Sequence, residues 1–318
     1  MGFGSWDFFK DVSLPKLIVI LGVTSSGKTD LAIKLAQKFK GEVVSADSRQ
    51  IYKEFDIGTS KPPGHWMNLG GQRMYAVNGI PHHLVDMVDP KEDFTLADYK
   101  SLAIEKINEI VNKGRVPFLV GGTALYLKAV CENWDIPKVK PNLALRSRLE
   151  RKNAADLFNE LQKKDPEAAA VCGPKNKRRI IRALEVIQAT GRKFSEQRKK
   201  GRPLFDTLKI GRQIPAEQFK KVVIQRTASM IKAGLAAEVK KLHERYHWAL
   251  VPMQSIDYQE FRAHFDGQST LAETLETINK HHLDLARRQM TWFKKDKTIN
   301  WIQTDAEAVE IVQNFLKT

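Results

Sequence analysis

The sequence predicts an α/β protein, a parallel sheet covered by helices and interrupted by a basic helical insertion. Three observations carry that reading. A glycine-rich loop joins an apolar, β-branched run to a helical pattern. Strand-like and helical runs alternate as far as about residue 131. Strand signals then vanish to about residue 206, while Lys and Arg accumulate. At 318 residues the chain can bury a sizeable core and carry a second folded part. Residues 16–131 and 207–318 are therefore expected to form one core, with 132–206 inserted into it.

Leu17-Ile-Val-Ile-Leu21 has the length and β-branching of a buried parallel strand. Gly22-Val-Thr-Ser-Ser-Gly-Lys-Thr29 follows and fits G-x-x-x-x-G-K-S/T. Leu31, Ala32, Leu35, Ala36 and Phe39 then recur with helical spacing, and Gly41 is expected to end that helix. Strand, loop and helix are the context in which this motif grips phosphate. Gly22 and Gly27 let the backbone curl, so that N–H groups through Thr24, Ser25 and Ser26 point inward, and the helix N-terminus adds positive charge. Lys28 supplies a point charge, and the Thr29 hydroxyl can hold Mg²⁺ carried by the phosphates. The loop should bind a di- or triphosphate. The core is thus of the P-loop NTPase type.

Glu42-Val-Val-Ser-Ala-Asp47 reads as the second strand, which places Asp47 at the ligand-binding edge of an open α/β sheet. From position alone Asp47 has three readings: a solvated carboxylate, a Mg²⁺ ligand or a catalytic base. Ser48, Arg49 and Gln50 follow, with Arg49 and Gln50 able to donate to bases or phosphates. The stretches Asp56–Pro63 and Gly79–Leu84 read as loops. His82 and His83 have no Cys or carboxylate at ligand spacing, which disfavours zinc. Asp93–Lys113 is an amphipathic helix closed by Gly114. Val116–Val120 is a strand running into Gly121-Gly-Thr123, where the two glycines allow close approach to a ligand. Thr123 is either an N-cap for a helix over 124–130 or a hydroxyl facing the phosphate loop.

Helices are expected over 143–152, 155–163 and 177–189, with Arg178, Arg179 and Arg182 on about one face of the last. Lys193–Arg202 reads as a mobile loop. Beyond it come a strand at 208–212, helices at 216–233 and 235–246, a long helix at 271–293, a strand at 299–302 and a closing helix at 306–315. Arg226 falls in a helix, where an arginine's commonest fate is a surface salt bridge. Arg288 and Gln289 stand just before Trp292.

Composition narrows the function. With 42% hydrophobic and 28% charged residues the chain is an ordinary globular one, and no stretch reaches the length of a membrane span. Met1–Lys16 lacks an apolar secretory core, and Trp6 breaks the myristoylation pattern, so a cytoplasmic protein with no membrane attachment is expected. Two cysteines, Cys131 and Cys172, are too few for a disulfide framework. The net charge of +15 is uneven: Glu132–Arg212 holds 21 Lys and Arg against 10 Asp and Glu, leaving only +4 for the rest. A charged block on a near-neutral remainder points to a nucleic acid.

Several stretches together resemble the tRNA dimethylallyltransferases, also called tRNA isopentenyltransferases. They are Gly22–Thr29, Ser45-Ala-Asp-Ser-Arg-Gln-Ile-Tyr52, Asp56-Ile-Gly-Thr-Ser-Lys-Pro62 and Gly79-Ile-Pro-His-His-Leu84, then Val120-Gly-Gly-Thr123, Arg179–Val186 and Arg288-Gln-Met-Thr-Trp292. The resemblance runs from Leu17 to about Trp301. It implies transfer of a dimethylallyl group from its diphosphate to the exocyclic amine of an adenine beside the tRNA anticodon. The phosphate loop would then hold the pyrophosphate leaving group with Mg²⁺, and Asp47 would be the general base. Thr123 would bond the bridging oxygen, Arg226 would reach the diphosphate, and the insertion would grip the anticodon stem-loop. By the same resemblance Asp47, Ser48, Arg49, Gln50, Thr123, Gln254, Arg288 and Gln289 would face the RNA, together with Arg178, Arg179 and Arg182. A monomer is expected. A small-molecule or nucleotide kinase is the alternative, sharing the loop but leaving the basic segment unexplained. Two departures stand out: Val23 replaces a usual proline, and Asp257 replaces a usual glycine. If that glycine serves a positive φ or a close RNA approach, Asp257 adds strain or repulsion.

Overall fold

The computed structural model describes residues 13–318 except 198, so the reading of the first residues as neither a secretion signal nor an acylation site lies outside them. Strand β1 (Lys16–Leu21) leads through the phosphate loop into α1 (Lys28–Lys38), and β2 (Gly41–Ser45) follows. Lys40, at φ 53°, makes the turn between them, so Gly41 opens a strand instead of ending a helix. A hairpin of β3 (His65–Leu69) and β4 (Gln72–Val77) then returns into β5 (Ile80–His83). After α2 (Leu96–Asn112) come β6 (Val116–Gly121) and α3 (Ala124–Cys131).

Among the described residues these strands join β7 (Asp206–Arg212) and β8 (Ile299–Ile302) in one sheet of order β3-β4-β5-β2-β6-β1-β7-β8. Along that order the six strands from β5 through β8 are parallel, β4 alone runs against them, and β3, antiparallel to β4, shares their direction. Gly79–Leu84 is thus mostly a strand, not a loop. The turns that make the hairpin are Gly70-Gly71 and Asn78-Gly79, all four at positive φ, the geometry tight hairpins need.

Successive residues of β1 serve both faces of the sheet. Leu17, Val19 and Leu21 pack with Ala103 and Ile107 of α2 and with Ile278 and Phe293 of α12 (Leu271–Phe293). Ile18 and Ile20 pack with Leu31 and Leu35 of α1 and with Ala308 and Val312 of α13 (Asp305–Lys317). Burial on both sides explains the unbroken apolar run. Because β2, β6 and β1 are neighbours, their C-terminal ends bring Asp47, Gly121–Thr123 and the phosphate loop side by side.

The inserted segment folds as α4 (Leu143–Glu150), α5 (Ala154–Lys164), α6 (Pro166–Cys172) and α7 (Lys177–Thr190), of which α6 is not evident from the sequence pattern. These helices share an apolar cluster of their own that includes Leu149, Leu157, Leu161, Ile180 and Leu184. Buried Glu185 ties α4 to α7, accepting from Arg146 Nε at 2.8 Å and Nη2 at 2.7 Å and from the Asn142 N–H at 2.7 Å. Lys193–Arg202 is no free loop in its described part. Buried Gln197 donates to Thr190 Oγ1 at 2.8 Å, and the Asp135 N–H donates to Lys199 O at 2.9 Å. On the core side, α8 (Ala216–Lys232) and α9 (Leu235–Arg245) precede two short helices, α10 (Ile256–Gln259) and α11 (Phe261–Phe265), that pack on α12.

Candidate active site

Ser25 and Gly27 take left-handed backbone angles, φ 63° and 73°, and so turn the loop into a concave rim. No side chain caps the start of α1, whose first N–H groups are left for an anion. The loop is braced from three sides. Ser26 N–H donates to Val23 O at 3.3 Å, and Val23 packs with Phe219, Val223 and Ala286. Gln289 Oε1 accepts from the Thr24 N–H at 3.0 Å, while its Nε2 donates to Gly122 O at 2.8 Å. Arg226 Nη1 donates to Thr24 Oγ1 at 3.2 Å and Ser25 Oγ at 3.4 Å, and its Nε donates to Ser60 Oγ at 2.9 Å. Arg226 therefore lies on the phosphate loop, not in a surface salt bridge.

Lys28 donates to Val23 O at 3.2 Å. Burial pulls its ammonium down to about 8, with the charge of Asp47 opposing that fall and the charge of Arg226 adding to it. Lys28, Asp47 and Arg226 thus form one electrostatic unit. Asp47 Oδ1 accepts from the Arg49 N–H at 2.9 Å and the Gln50 N–H at 3.4 Å, which fixes the carboxylate in a local turn. Its Oδ2 has no hydrogen-bond partner among the described residues. Thr123 occupies the N-cap position of α3 but makes no cap bond. Its Oγ1 instead accepts from the Ser48 N–H at 3.2 Å and lies 3.4 Å from Ser48 Oγ, facing the turn that carries Asp47. The two glycines before it serve protein contacts: a Cβ on Gly121 would sit 2.1 Å from Ala46 O, and one on Gly122 would sit 2.7 Å from Gln289 Nε2.

The remaining sequence-predicted residues divide. Gln50 Nε2 donates to Thr59 O at 3.3 Å and Ser60 O at 3.0 Å, holding the loop that presents Ser60 to Arg226. Arg49 bonds Val251 O, and burial lowers its pKa, with the charge of Arg178 adding to the effect. Insertion helix α7 thus reaches the site's flank. Arg178 and Arg179 are exposed, whereas Arg182 donates to Val139 O at 2.9 Å and pairs with Glu185. Gln254 donates to Ala249 O at 2.7 Å with an exposed side chain, and Arg288 is exposed. His82 and His83 lie in β5, away from this edge. His82 is pushed down to about 4 by burial, and His83 Nε2 hydrogen-bonds Glu42 Oε2 at 2.6 Å.

Sequence reasoning missed Ser60, Glu238 and His282, and singled out Asp257 without its pairing to His282. Glu238 accepts from the Ile57 N–H at 2.9 Å and the Gly58 N–H at 3.1 Å, clamping the loop below Ser60. Asp257 sits in α10 without a positive φ and is buried beside His282, so it brings neither strain nor direct repulsion of RNA. A cleft of about 740 Å³ lies on the loop's other flank, lined by Asp30, Lys34 and Arg212 among others, and its lining includes neither Asp47 nor Thr123. The convergence of side chains, not cavity size, marks the site.

A phosphate loop facing a strand-end carboxylate and hydroxyl, with an arginine laid across its rim, defines a P-loop protein equipped for group transfer from a phosphorylated donor. The family model "IPP transferase" matches residues 50–296. A tRNA dimethylallyltransferase from a Roseiflexus species is 44% identical over 94% of this chain and 98% of its own. The Bacillus subtilis tRNA dimethylallyltransferase is 37% identical over 90% of each. The crystal structure of a tRNA isopentenylpyrophosphate transferase from Bacillus halodurans is 34% identical, covers 95% of each chain and superposes with a TM-score of 0.67. A eukaryotic dimethylallyltransferase acting on tRNA superposes with a TM-score of 0.80 at 28% identity, covering 95% of this chain and 80% of its own. The chain belongs to the tRNA dimethylallyltransferase (IPP transferase) family.

Proposed function

We propose that this transferase moves a dimethylallyl group from dimethylallyl diphosphate to the exocyclic amine of the adenine beside the tRNA anticodon. The observation that carries this reading is the meeting of Lys28, Arg226, Asp47 and Thr123 around one phosphate loop at the ends of β1, β2 and β6. The loop amides, Lys28 and Arg226 hold the diphosphate. An adenine amine is a weak nucleophile because its lone pair is delocalised into the ring. As its nitrogen bonds to the allylic carbon, the carbon–oxygen bond to diphosphate breaks and the nitrogen must lose a proton. Asp47 Oδ2, free of other partners, takes that proton, while Oδ1 stays fixed by two backbone amides. Thr123 accepts from the Ser48 N–H, and its own O–H, which makes only a long 3.4 Å bond to Ser48 Oγ, turns to donate to the bridging oxygen, where negative charge grows.

Thr29, in the first turn of α1, offers a hard oxygen ligand, and no cluster of three or more His, Cys, Asp or Glu suited to a metal exists among the described residues. Such a donor set suits Mg²⁺ carried in by the diphosphate and held mainly by phosphate and water oxygens. When bound, the ion neutralises charge on the leaving group.

Exposed Arg178 and Arg179, backed by the insertion's own core, are assigned to the phosphates of the anticodon stem-loop, with the target base flipped out to reach Asp47. A tRNA substrate and the lack of any helix long and apolar enough to cross a membrane among the described residues favour the cytoplasm. Incubation with labelled dimethylallyl diphosphate or labelled ATP, with and without tRNA, tests the reading. Label should enter tRNA from the allylic donor alone; phosphoryl transfer from ATP would establish a kinase instead.

A further inference from the structure

Next to the donor site lies a buried pair that the scheme above leaves unused. Asp257, in the first turn of α10, and His282, midway along α12, are each 3% exposed. His282 Nε2 lies 2.8 Å from Asp257 Oδ1, and Asp257 Oδ2 faces Arg226 Nη2 at 3.9 Å. His282 Nδ1 has no hydrogen-bond partner among the described residues. A buried N–H without an acceptor is rare, so Nδ1 is the bare nitrogen and Nε2 carries the proton. The ring then donates from Nε2 to Asp257 Oδ1.

We propose that Asp257 is a positioning residue: held by His282, its carboxylate fixes the guanidinium of Arg226 in the orientation that serves the donor diphosphate. This rests on the assignment of Arg226 given above. The other acceptors on Arg226 are the hydroxyls of Thr24, Ser25 and Ser60, which are neutral and can rotate. Asp257 is the one anion paired with Arg226 among the described residues. It cannot rotate away, because it is buried on a helix with Oδ1 already bonded. At 3.9 Å the contact is longer than a hydrogen bond, so the carboxylate steers the guanidinium by charge and leaves its N–H groups for phosphate oxygens. An arginine oriented before the donor arrives loses less freedom on binding it.

The test is a double-mutant cycle on the full chain, reading KM for dimethylallyl diphosphate, kcat, tRNA affinity and thermal midpoint. Asp257→Asn keeps the shape and removes the charge. It should raise the donor KM about fivefold, the scale of one partly buried charge pair, and leave kcat and tRNA affinity in place. In an Arg226→Ala background the same change should add nothing. His282→Gln, which retains a donor, should stay close to wild type, whereas His282→Leu should follow Asp257→Asn; these two variants also decide the matter if Asp257→Asn does not fold. A fivefold loss that persists without Arg226, or a matching fall in tRNA affinity, would make Asp257 merely structural and overturn the proposal. Unchanged donor affinity in Arg226→Ala alone would remove the arginine assignment itself, and the proposal with it.

Discussion

At the sheet edge the cations are enclosed and shared. Lys28 lies within the loop it serves, and Arg226 spans Ser60, Thr24 and Ser25. In the insertion, cations are sorted by burial. Arg146 and Arg182 are committed to buried Glu185, and Arg178 and Arg179 stand free on the surface of α7. The contrast fits what each region is proposed to hold. A small, densely charged diphosphate is gripped best where water is excluded and few groups converge. A long polyanion is held by charges spread over an exposed, rigid support, each worth little alone. The first region draws its strength from geometry, the second from number.

Three measurements break or sharpen that contrast, from the largest effect to the smallest. Asp47→Asn preserves size and an acceptor but cannot take the proton, so the single-turnover rate should fall about a hundredfold or more. Both dissociation constants should barely move. An active variant would make Asp47 a solvated carboxylate, and loss of metal-dependent donor affinity would make it a Mg²⁺ ligand.

Next comes pH. Lys28 is held near 8, below its ordinary value, because burial disfavours the charge. A bound diphosphate favours the charged form and raises that value again. Donor affinity should therefore be level below about pH 8 and weaken above it, by up to about tenfold per unit, with proton uptake on binding. In the free protein the same shift acts oppositely on stability. The folded state binds fewer protons than the unfolded chain from about 8 to 10.5, so this group's contribution to stability rises with pH across that window. Calorimetry in buffers of different ionisation enthalpy measures the uptake, and a flat profile would detach Lys28 from the donor.

The smallest effect concerns Gln289, which resemblance places on the RNA and geometry places between Thr24 and Gly122. Gly122→Ala would push its amide aside and free the loop. A lost hydrogen bond of about 1 kcal/mol predicts a donor affinity about fivefold weaker with tRNA binding intact. A loss confined to tRNA would move Gln289 to the other region.

The phosphate loop, the strand and helix around it, and the basic insertion were legible because each signal is local: fixed spacing, β-branching, charge density. Asp47 and Thr123 were legible as strand-end residues, but their alternatives were not. Only the fold shows that the Thr123 hydroxyl meets Ser48 instead of capping α3. The hairpin at 65–83 escaped because its turn dipeptides, Gly70-Gly71 and Asn78-Gly79, join short strands that include Pro81 and many polar residues. Asp257 and His282 come from separate helices and meet only through packing, so no spacing announces them.

The division between donor site and RNA grip is tested most directly by four dissociation constants: donor and tRNA, each measured on Lys28→Ala and on Arg178→Ala with Arg179→Ala. The account predicts a crossed pattern. Lys28→Ala should weaken the donor by about tenfold or more, the scale of a charge-assisted contact, and leave tRNA unchanged. The double arginine variant should spare the donor, weaken tRNA and flatten its salt dependence by about two units of slope, one per lost phosphate contact. Parallel losses of both ligands in either protein would contradict it.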